Sequence, residues 1–268
     1  MESHPVDVFF VGSSHIYAGI DPSAFPMRVV NLAESGLNYQ VAEVLIDRYW
    51  EHVSKAQAVV IEFDAVPLYK DTIAFREGDL SDLWDWDLSP SVLSLSVWQR
   101  SIAYIDCEAG MRRFPPIHHP ARPAKKIIGP GFEPSPSTLN GSSTGAKTAF
   151  FQSLGTKFSP EIVQRNIQAL GKIRERLKEA NVVLILFRPP FHQDYWSNVA
   201  GRDRAAFTDR ELSDLMQNSP DEKVIDFRTL SNLPDAFFSD FTHLSNAGAA
   251  AVSKQVAEQV AVLSSPGN

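Results

Sequence analysis

The chain has 268 residues, of which 44% are hydrophobic and 21% charged, and this composition is ordinary for one large globular domain. Its formal net charge of −7 at pH 7 argues against electrostatic binding of nucleic acid or anionic lipid. The single cysteine, Cys107, excludes an intrachain disulfide and a cysteine-rich zinc or iron–sulfur site.

No stretch of the sequence approaches the apolar length that a membrane-spanning helix needs. The first predicted strand begins about five residues from the N-terminus, which leaves no room for a signal peptide in the sequence as written. We therefore expect a cytoplasmic protein without a membrane segment. Removal of an N-terminal leader or anchor would instead imply a periplasmic or cell-surface location.

The first part of the chain alternates between strand and helix patterns. An apolar run at 6–11 ends in Gly12-Ser13-Ser14, which predicts a buried parallel strand followed by a tight turn. Further strands are predicted at 28–32 and 56–63. Between them, apolar residues at helical spacing predict a helix over 40–53.

The alternation stops between about residues 70 and 157, which we interpret as an insertion after the third strand of a single domain, 1–268. An acidic segment with two tryptophans (71–88) is followed by a predicted helix over 89–107. A basic, proline-rich segment (112–126) then precedes a stretch rich in Gly, Pro, Ser and Thr (129–148), which predicts a long loop.

Regular patterns return at Ser159-Pro160, where a strongly periodic helix is predicted to run to about residue 180. A strand at 182–187, a helix at 205–217 and a strand at 223–227 follow. Ser245 or Asn246 is predicted to cap a C-terminal helix. Strands and helices in this order predict an α/β fold in which a parallel sheet carries helices on both faces.

Three loops at the carboxyl ends of predicted strands carry the candidate chemistry. Ser14 follows the first strand, Gly36 follows the second, and Asp240 and His243 follow the fifth. An Asp three residues before a His lets the carboxylate select the tautomer of the imidazole, which can then activate a Ser brought close by the fold. This arrangement predicts a serine hydrolase or acyltransferase.

These motifs resemble those of the SGNH/GDSL hydrolase superfamily. Gly12-Ser13-Ser14 is similar to its Gly-Asp-Ser motif, the segment 31–36 to its second motif, and the segment 240–244 to its Asp-x-x-His motif. Phe187-Arg188-Pro189-Pro190 and Ala247-Gly248 look like the branch with a Gly-Ser-Ser first motif. That branch includes polysaccharide O-acetyltransferase-like and teichoic-acid D-alanyl transfer-like proteins.

The resemblance implies a flavodoxin-like three-layer α/β/α fold with a five-stranded parallel sheet. It also implies Ser14 as the nucleophile, His243 as the general base and Asp240 as the group that orients it. The backbone N–H groups of Ser14 and Gly36 would form the oxyanion hole. The substrate would be a small-molecule or carbohydrate ester, with no cofactor and no metal required.

One family motif is missing. After the third strand the family has Gly-x-Asn-Asp, whose Asn donates to the oxyanion, whereas this chain has Glu62-Phe63-Asp64 and no Asn. Loss of such a donor costs roughly 3–4 kcal/mol of transition-state stabilisation unless another group replaces it. Asn38 or a further backbone N–H could take its place.

Two other polar residues, Arg188 and His192, have two interpretations each. Arg188, at the end of the fourth strand, could bind a substrate carboxylate or phosphate, or form a salt bridge with Asp226 or Asp64. His192 is a second candidate for substrate binding, or a surface residue of a loop. His15 adjoins Ser14, and we expect its side chain to point elsewhere and to have a structural role.

A non-catalytic protein of the same fold, which binds a glycan or a partner protein through the insertion, is the alternative function. The missing Asn favours it, and the presence of Ser14, Asp240 and His243 opposes it. A nucleotide-binding site is disfavoured, because the first turn lacks the Gly-x-Gly-x-x-Gly spacing. His118 and His119 lack nearby acidic or cysteine partners in the sequence and predict no metal site.

Overall fold

The computed structural model describes residues 5–33, 36–70, 139, 147–148, 159–218, 222–228 and 233–264. The helix expected at 89–107, the acidic and basic segments and His118-His119 lie outside these residues. The insertion at about 70–157 therefore stays a prediction.

The described strands form one parallel sheet. They are β1 (Val8–Val11), β2 (Val29–Asn31), β3 (Ala58–Glu62), β4 (Val183–Arg188) and β5 (Lys223–Asp226). Their order in the sheet is β2-β1-β3-β4-β5, and every neighbouring pair is parallel. This is the flavodoxin-like order, so the predicted fold class is confirmed.

Helices follow the strands. They are α1 (Ser14–Tyr17), α2 (Tyr39–Arg48), α3 (Trp50–Val53), α4 (Ala65–Tyr69), α5 (Pro160–Glu179), α6 (Gln193–Ser197), α7 (Val199–Asn218) and α8 (Asn246–Leu263), with 3-10 turns at Pro22–Ala24 and Asp235–Phe237. The helix expected over 40–53 is divided, because Tyr49 leaves the helical conformation with φ −100° and ψ 18°. The helix expected from 205 begins earlier, at Val199.

The core lies on both faces of the sheet, as β1 illustrates. Phe9 and Val11 belong to an apolar cluster with buried residues of α2, α5 and α7. Val8 and Phe10 belong to a second cluster with residues of α1 and α8. Complete burial of such side chains contributes roughly 1.5–3 kcal/mol each. These two clusters produce the three layers.

The sheet order places a crevice at its centre. β1 pairs with β2 on one side and with β3 on the other, so the chain winds in opposite directions from this point. Ligands of doubly wound sheets bind at the carboxyl ends of the strands where the direction reverses. Ser14 is the first residue of α1, which follows β1 after a short turn. Glu62 is the last residue of β3, the strand next to β1.

None of the helices in the described segments is long and apolar enough to cross a membrane.

Candidate active site

Ser14 stands on a tight turn between β1 and α1. Ser13 adopts an extended conformation and caps α1, and Ser14 is the first residue of the helix. Gly12 makes the turn possible, because a Cβ at this position would lie only 2.7 Å from Cβ of Glu62. The Ser14 side chain is therefore presented at the carboxyl edge of the sheet.

Asp240 and His243 share a short loop ahead of α8, which the antiparallel bridge between Phe238 and Leu244 closes. Oδ1 of Asp240 accepts hydrogen bonds from the backbone N–H groups of Thr242 (2.7 Å) and His243 (2.8 Å). Oδ2 of Asp240 lies 2.8 Å from Nδ1 of His243. The same carboxylate thus orders the loop and orients the imidazole.

The fold brings this loop to Ser14. Nε2 of His243 lies 2.8 Å from Oγ of Ser14, which is hydrogen-bond distance. With its Nδ1–H directed at Asp240, the neutral imidazole presents Nε2 as an acceptor for the Ser14 hydroxyl proton. The side chains of His243 and Asp240 are 27% and 43% exposed, so the site is open to solvent.

The carboxyl of Asp240 is held in its ionised form. Partial burial raises its pKa. The hydrogen bond and charge interaction with His243, together with the N–H groups of Thr242 and His243, lower the pKa by more than burial raises it. The net result is a pKa of about 2, below the ordinary 3.8. Asp240 is therefore an anion across the neutral range and stabilises a positive charge on His243.

Gly36 lies after β2, buried, with φ of +72°. A Cβ at this position would contact the Nζ of Lys70, and the left-handed conformation strains any side chain other than that of glycine. This requirement for glycine is consistent with the expected role of its backbone N–H in an oxyanion hole, which stays a prediction.

Asn38 forms structural hydrogen bonds. Its Oδ1 caps α2 by accepting the N–H of Val41, and its Nδ2 donates to the carbonyl of Lys70 at 2.9 Å. The residue is completely buried. Because the side chain is buried and both of its polar atoms are bonded to backbone groups, these contacts favour a capping role. A role of Asn38 as an oxyanion donor stays a prediction.

Arg188 likewise bonds within the protein. Its Nη1 forms ion pairs with Asp209 (2.8 Å) and Asp226 (3.3 Å), and its Nη2 donates to Thr208. The side chain is 2% exposed. Of the two interpretations, the contacts favour the salt bridge with Asp226 over substrate binding.

His192 is buried, whereas a surface position was one of its two expectations. Its Nδ1 accepts the N–H of Asp194 and caps α6, and its Nε2 lies 3.0 Å from Oδ1 of Asp235. Its ring also packs edge-on against Phe238. These contacts join α6 to the loop before α8 and favour a structural role over direct substrate binding.

Glu62 and His15 form a buried group that sequence reasoning did not assign to the site. Oε2 of Glu62 accepts the N–H of Ser13 at 2.5 Å, and Oε1 lies 2.8 Å from Nδ1 of His15 and 2.9 Å from Oγ of Ser13. The ring of His15 lies 4.9 Å from that of His243, between centroids, so the expectation that it points elsewhere was wrong. Glu62, an ionisable residue at the end of an apolar strand, was the feature of the sequence that could have indicated this group.

The His15–Glu62 pair favours the charged imidazole. Burial lowers the pKa of His15, but the charge and hydrogen bond of Glu62, with smaller contributions from Asp64 and Asp240, raise it more. The net shift is upward from 6.5. The carboxylate of Glu62 therefore stabilises the protonated form of His15.

His15, Glu62 and Asp64 also offer three ligand atoms within 4.8 Å of one another, the one such group in the part of the chain that the structure describes. Both carboxylate oxygens of Glu62 already accept hydrogen bonds from Ser13 or lie within hydrogen-bond distance of His15. A metal ion would have to replace these bonds. We therefore interpret the group as an ion-pair network.

No family model matches the chain, and no curated protein does. Among solved structures, a proposed acylhydrolase of Bacteroides fragilis is 12% identical, with 98% of this chain and 93% of that chain covered and a TM-score of 0.46. A catalytic mutant of the acetylxylan esterase of Geobacillus stearothermophilus is 13% identical, with coverages of 97% and 96% and a TM-score of 0.43. A second mutant of that esterase has the same identity and TM-score.

Proposed function

We propose that the protein is a serine-dependent ester hydrolase or O-acyltransferase that works through an acyl-enzyme on Ser14. The observation that carries this proposal is the continuous contact from Ser14 Oγ to His243 Nε2 and from His243 Nδ1 to Asp240, each 2.8 Å long. A nucleophile, a base and an orienting carboxylate at these distances have the geometry that acyl transfer requires.

The first half-reaction forms the acyl-enzyme. His243 accepts the hydroxyl proton of Ser14 as Oγ attacks the ester carbonyl, and Asp240 stabilises the imidazolium that results. The tetrahedral intermediate collapses with cleavage of the ester C–O bond, and His243 returns its proton to the departing alkoxide. The products are an alcohol and an ester of Ser14.

The second half-reaction releases the acyl group. His243 deprotonates a water molecule or an acceptor hydroxyl, which attacks the acyl carbon and displaces Ser14 Oγ. His243 then returns this proton to Ser14 Oγ, which regenerates the free enzyme. Water completes hydrolysis, and a sugar or other alcohol completes transfer. The N–H groups of Ser14 and Gly36 are the donors that we propose for the oxyanion in both half-reactions.

The substrate that we propose is a small acyl ester, with acetylated carbohydrates as the first class to test. Incubation with acetylated oligosaccharides, followed by detection of released acetate, measures hydrolysis. Addition of an unacetylated sugar and detection of newly acetylated product measures transfer. The ratio of released acetate to newly acetylated sugar shows whether the protein favours hydrolysis or transfer.

The decisive test is turnover of p-nitrophenyl acetate and labelling by a fluorophosphonate. Wild-type protein is expected to hydrolyse the ester and to be labelled on Ser14, and Ser14→Ala to lose both. Ser197→Ala, at an exposed serine of α6, is the matched control and is expected to retain both. Absence of turnover and of labelling in folded wild type would instead favour the non-catalytic alternative, a glycan- or protein-binding relative.

A further inference from the structure

We propose that Glu62 and His15 are a positioning pair of the candidate site: Glu62 fixes the turn that carries Ser14, and His15 supports the imidazole of His243. This inference rests on the proposed function, since it assigns both residues to the Ser14–His243 contact. Both act through their neighbours and not through contact with the ester.

The contacts of Glu62 fix the residue just before Ser14. Its carboxylate accepts both the backbone N–H and the hydroxyl of Ser13, and Oγ of Ser13 in turn accepts the N–H of His15. Glu62 is completely buried at the end of the central strand β3. Because water does not compete there, each bond restrains the turn more strongly than a surface bond would.

The contacts of His15 extend this support to the base. Its ring lies 4.9 Å from the ring of His243 and 4.9 Å from that of Phe191. Its Nδ1 is held by Glu62, so the orientation of the ring is determined from β3. His243 therefore has two supports, the carboxylate of Asp240 at Nδ1 and the ring of His15 beside it.

Charge makes this support dependent on pH. The ionisable groups that face His15 are Glu62 at the end of β3 and Asp64 just before α4, with Asp240 and His243 on the loop before α8. These acids raise the pKa of His15 above 6.5 after burial has lowered it. The charge of His15 that pairs with Glu62 is lost as the pH rises through the raised pKa of His15 in the folded protein, and the pair weakens with it.

The kinetic test uses Glu62→Gln and His15→Gln with p-nitrophenyl acetate. Displacement of a reacting group by about 1 Å can cost on the order of 100-fold, so we expect kcat to fall about 10- to 100-fold with KM close to wild type. Fluorophosphonate labelling should slow by the same factor. Glu179→Gln (an exposed acid of α5) and Thr208→Val (a buried polar residue of α7) are the controls, expected to keep wild-type kcat.

The spectroscopic test is an NMR titration of wild-type protein with ¹⁵N-labelled histidine rings. We expect the ring signals of His243 to shift as His15 titrates, because the two rings lie 4.9 Å apart. This shift should be absent in His15→Gln. The titration thus reports whether the two rings are coupled, and the kcat of the folded variants separates a positioning role from a purely structural one.

Two results would overturn the inference: folded Glu62→Gln and His15→Gln with wild-type kcat and labelling, or His243 signals that do not respond to His15. If Glu62→Gln does not fold, the kcat of His15→Gln and the titration of the wild type show whether the inference holds. If wild type neither turns over nor is labelled, the proposed function fails on its own, and the titration still supports or overturns the coupling of His15 to His243.

Discussion

Oγ of Ser14 lies 2.8 Å from Nε2 of His243 although 229 positions separate the two residues. In the sheet, β3 and β4 stand between β1, which leads to Ser14, and β5, which precedes His243. The loop with His243 therefore has to extend across the carboxyl ends of two strands. Packing of α1 and α8 in the same apolar cluster holds the two ends of this contact together.

Replacement of Asp240 by Asn tests the orienting role of the carboxylate. An amide donor opposite Nδ1 would favour the wrong tautomer of His243, so we expect kcat to fall on the order of 10³- to 10⁴-fold. Steady-state hydrolysis of p-nitrophenyl acetate measures this effect. Asp203→Asn, at an exposed position of α7, is the control. A loss of less than tenfold in folded protein would contradict the triad.

Acid stability provides an independent test of Asp240. Because its pKa is lowered in the folded state to about 2, its ionised form contributes stability that is fully present above the unfolded value of 3.8 and is lost as the pH falls through the folded value. Urea unfolding of wild type and Asp240→Asn between pH 2 and 5 should show a shallower decline in the variant. Equal slopes would show that Asp240 gains nothing from His243 in the folded state.

Gly36→Ala tests the turn after β2. With φ of +72°, an alanine would be strained by about 1–2 kcal/mol, whereas the clash with the end of the Lys70 side chain can be relieved by rotation. We expect lower thermal stability and a lower kcat, because a shifted backbone N–H no longer meets the oxyanion. Gly171→Ala, at a helical position of α5 with open space around it, is the matched control. Unchanged kcat in a destabilised variant would remove Gly36 from the oxyanion hole.

Asn38→Ala separates capping from catalysis. Loss of the cap of α2 and of the bond to Lys70 should lower the free energy of unfolding by about 1–2 kcal/mol, as measured by urea denaturation. The kcat of the folded fraction should equal that of wild type. A kcat reduced on the order of 100-fold without loss of stability would restore Asn38 as the oxyanion donor.

Arg188→Met tests whether this cation binds substrate. Removal of its bonds to Asp209, Asp226 and Thr208 should destabilise the fold by about 1–3 kcal/mol, with Arg228 still paired to both acids. KM for p-nitrophenyl acetate and for an acetylated oligosaccharide should not change. Arg210→Met, at an exposed arginine of α7, controls for loss of charge. A raised KM with unchanged stability would support the substrate-binding interpretation.

The strand pattern of the sequence was sufficient to predict the fold class. Apolar runs such as that at 56–63, alternating with periodic helices, allow few arrangements other than a parallel sheet covered on both faces. Helix boundaries were less predictable. The helix expected over 40–53 is interrupted at Tyr49, where the apolar periodicity of the sequence continues but the helical backbone conformation does not. The insertion lies outside the described residues and was not tested.

What the sequence determined by itself was local: which segments form strands, which serine begins the helix after β1, and that Asp240 precedes His243 by three positions in the loop before α8. Bonds within such short segments depend on residues close in the chain. Only the tertiary structure showed the contacts of side chains whose partners lie far away in the sequence. It placed Asn38 and Arg188 in structural bonds and Glu62 and His15 beside Ser14, because burial and charge pairing depend on the whole fold and not on neighbours in sequence.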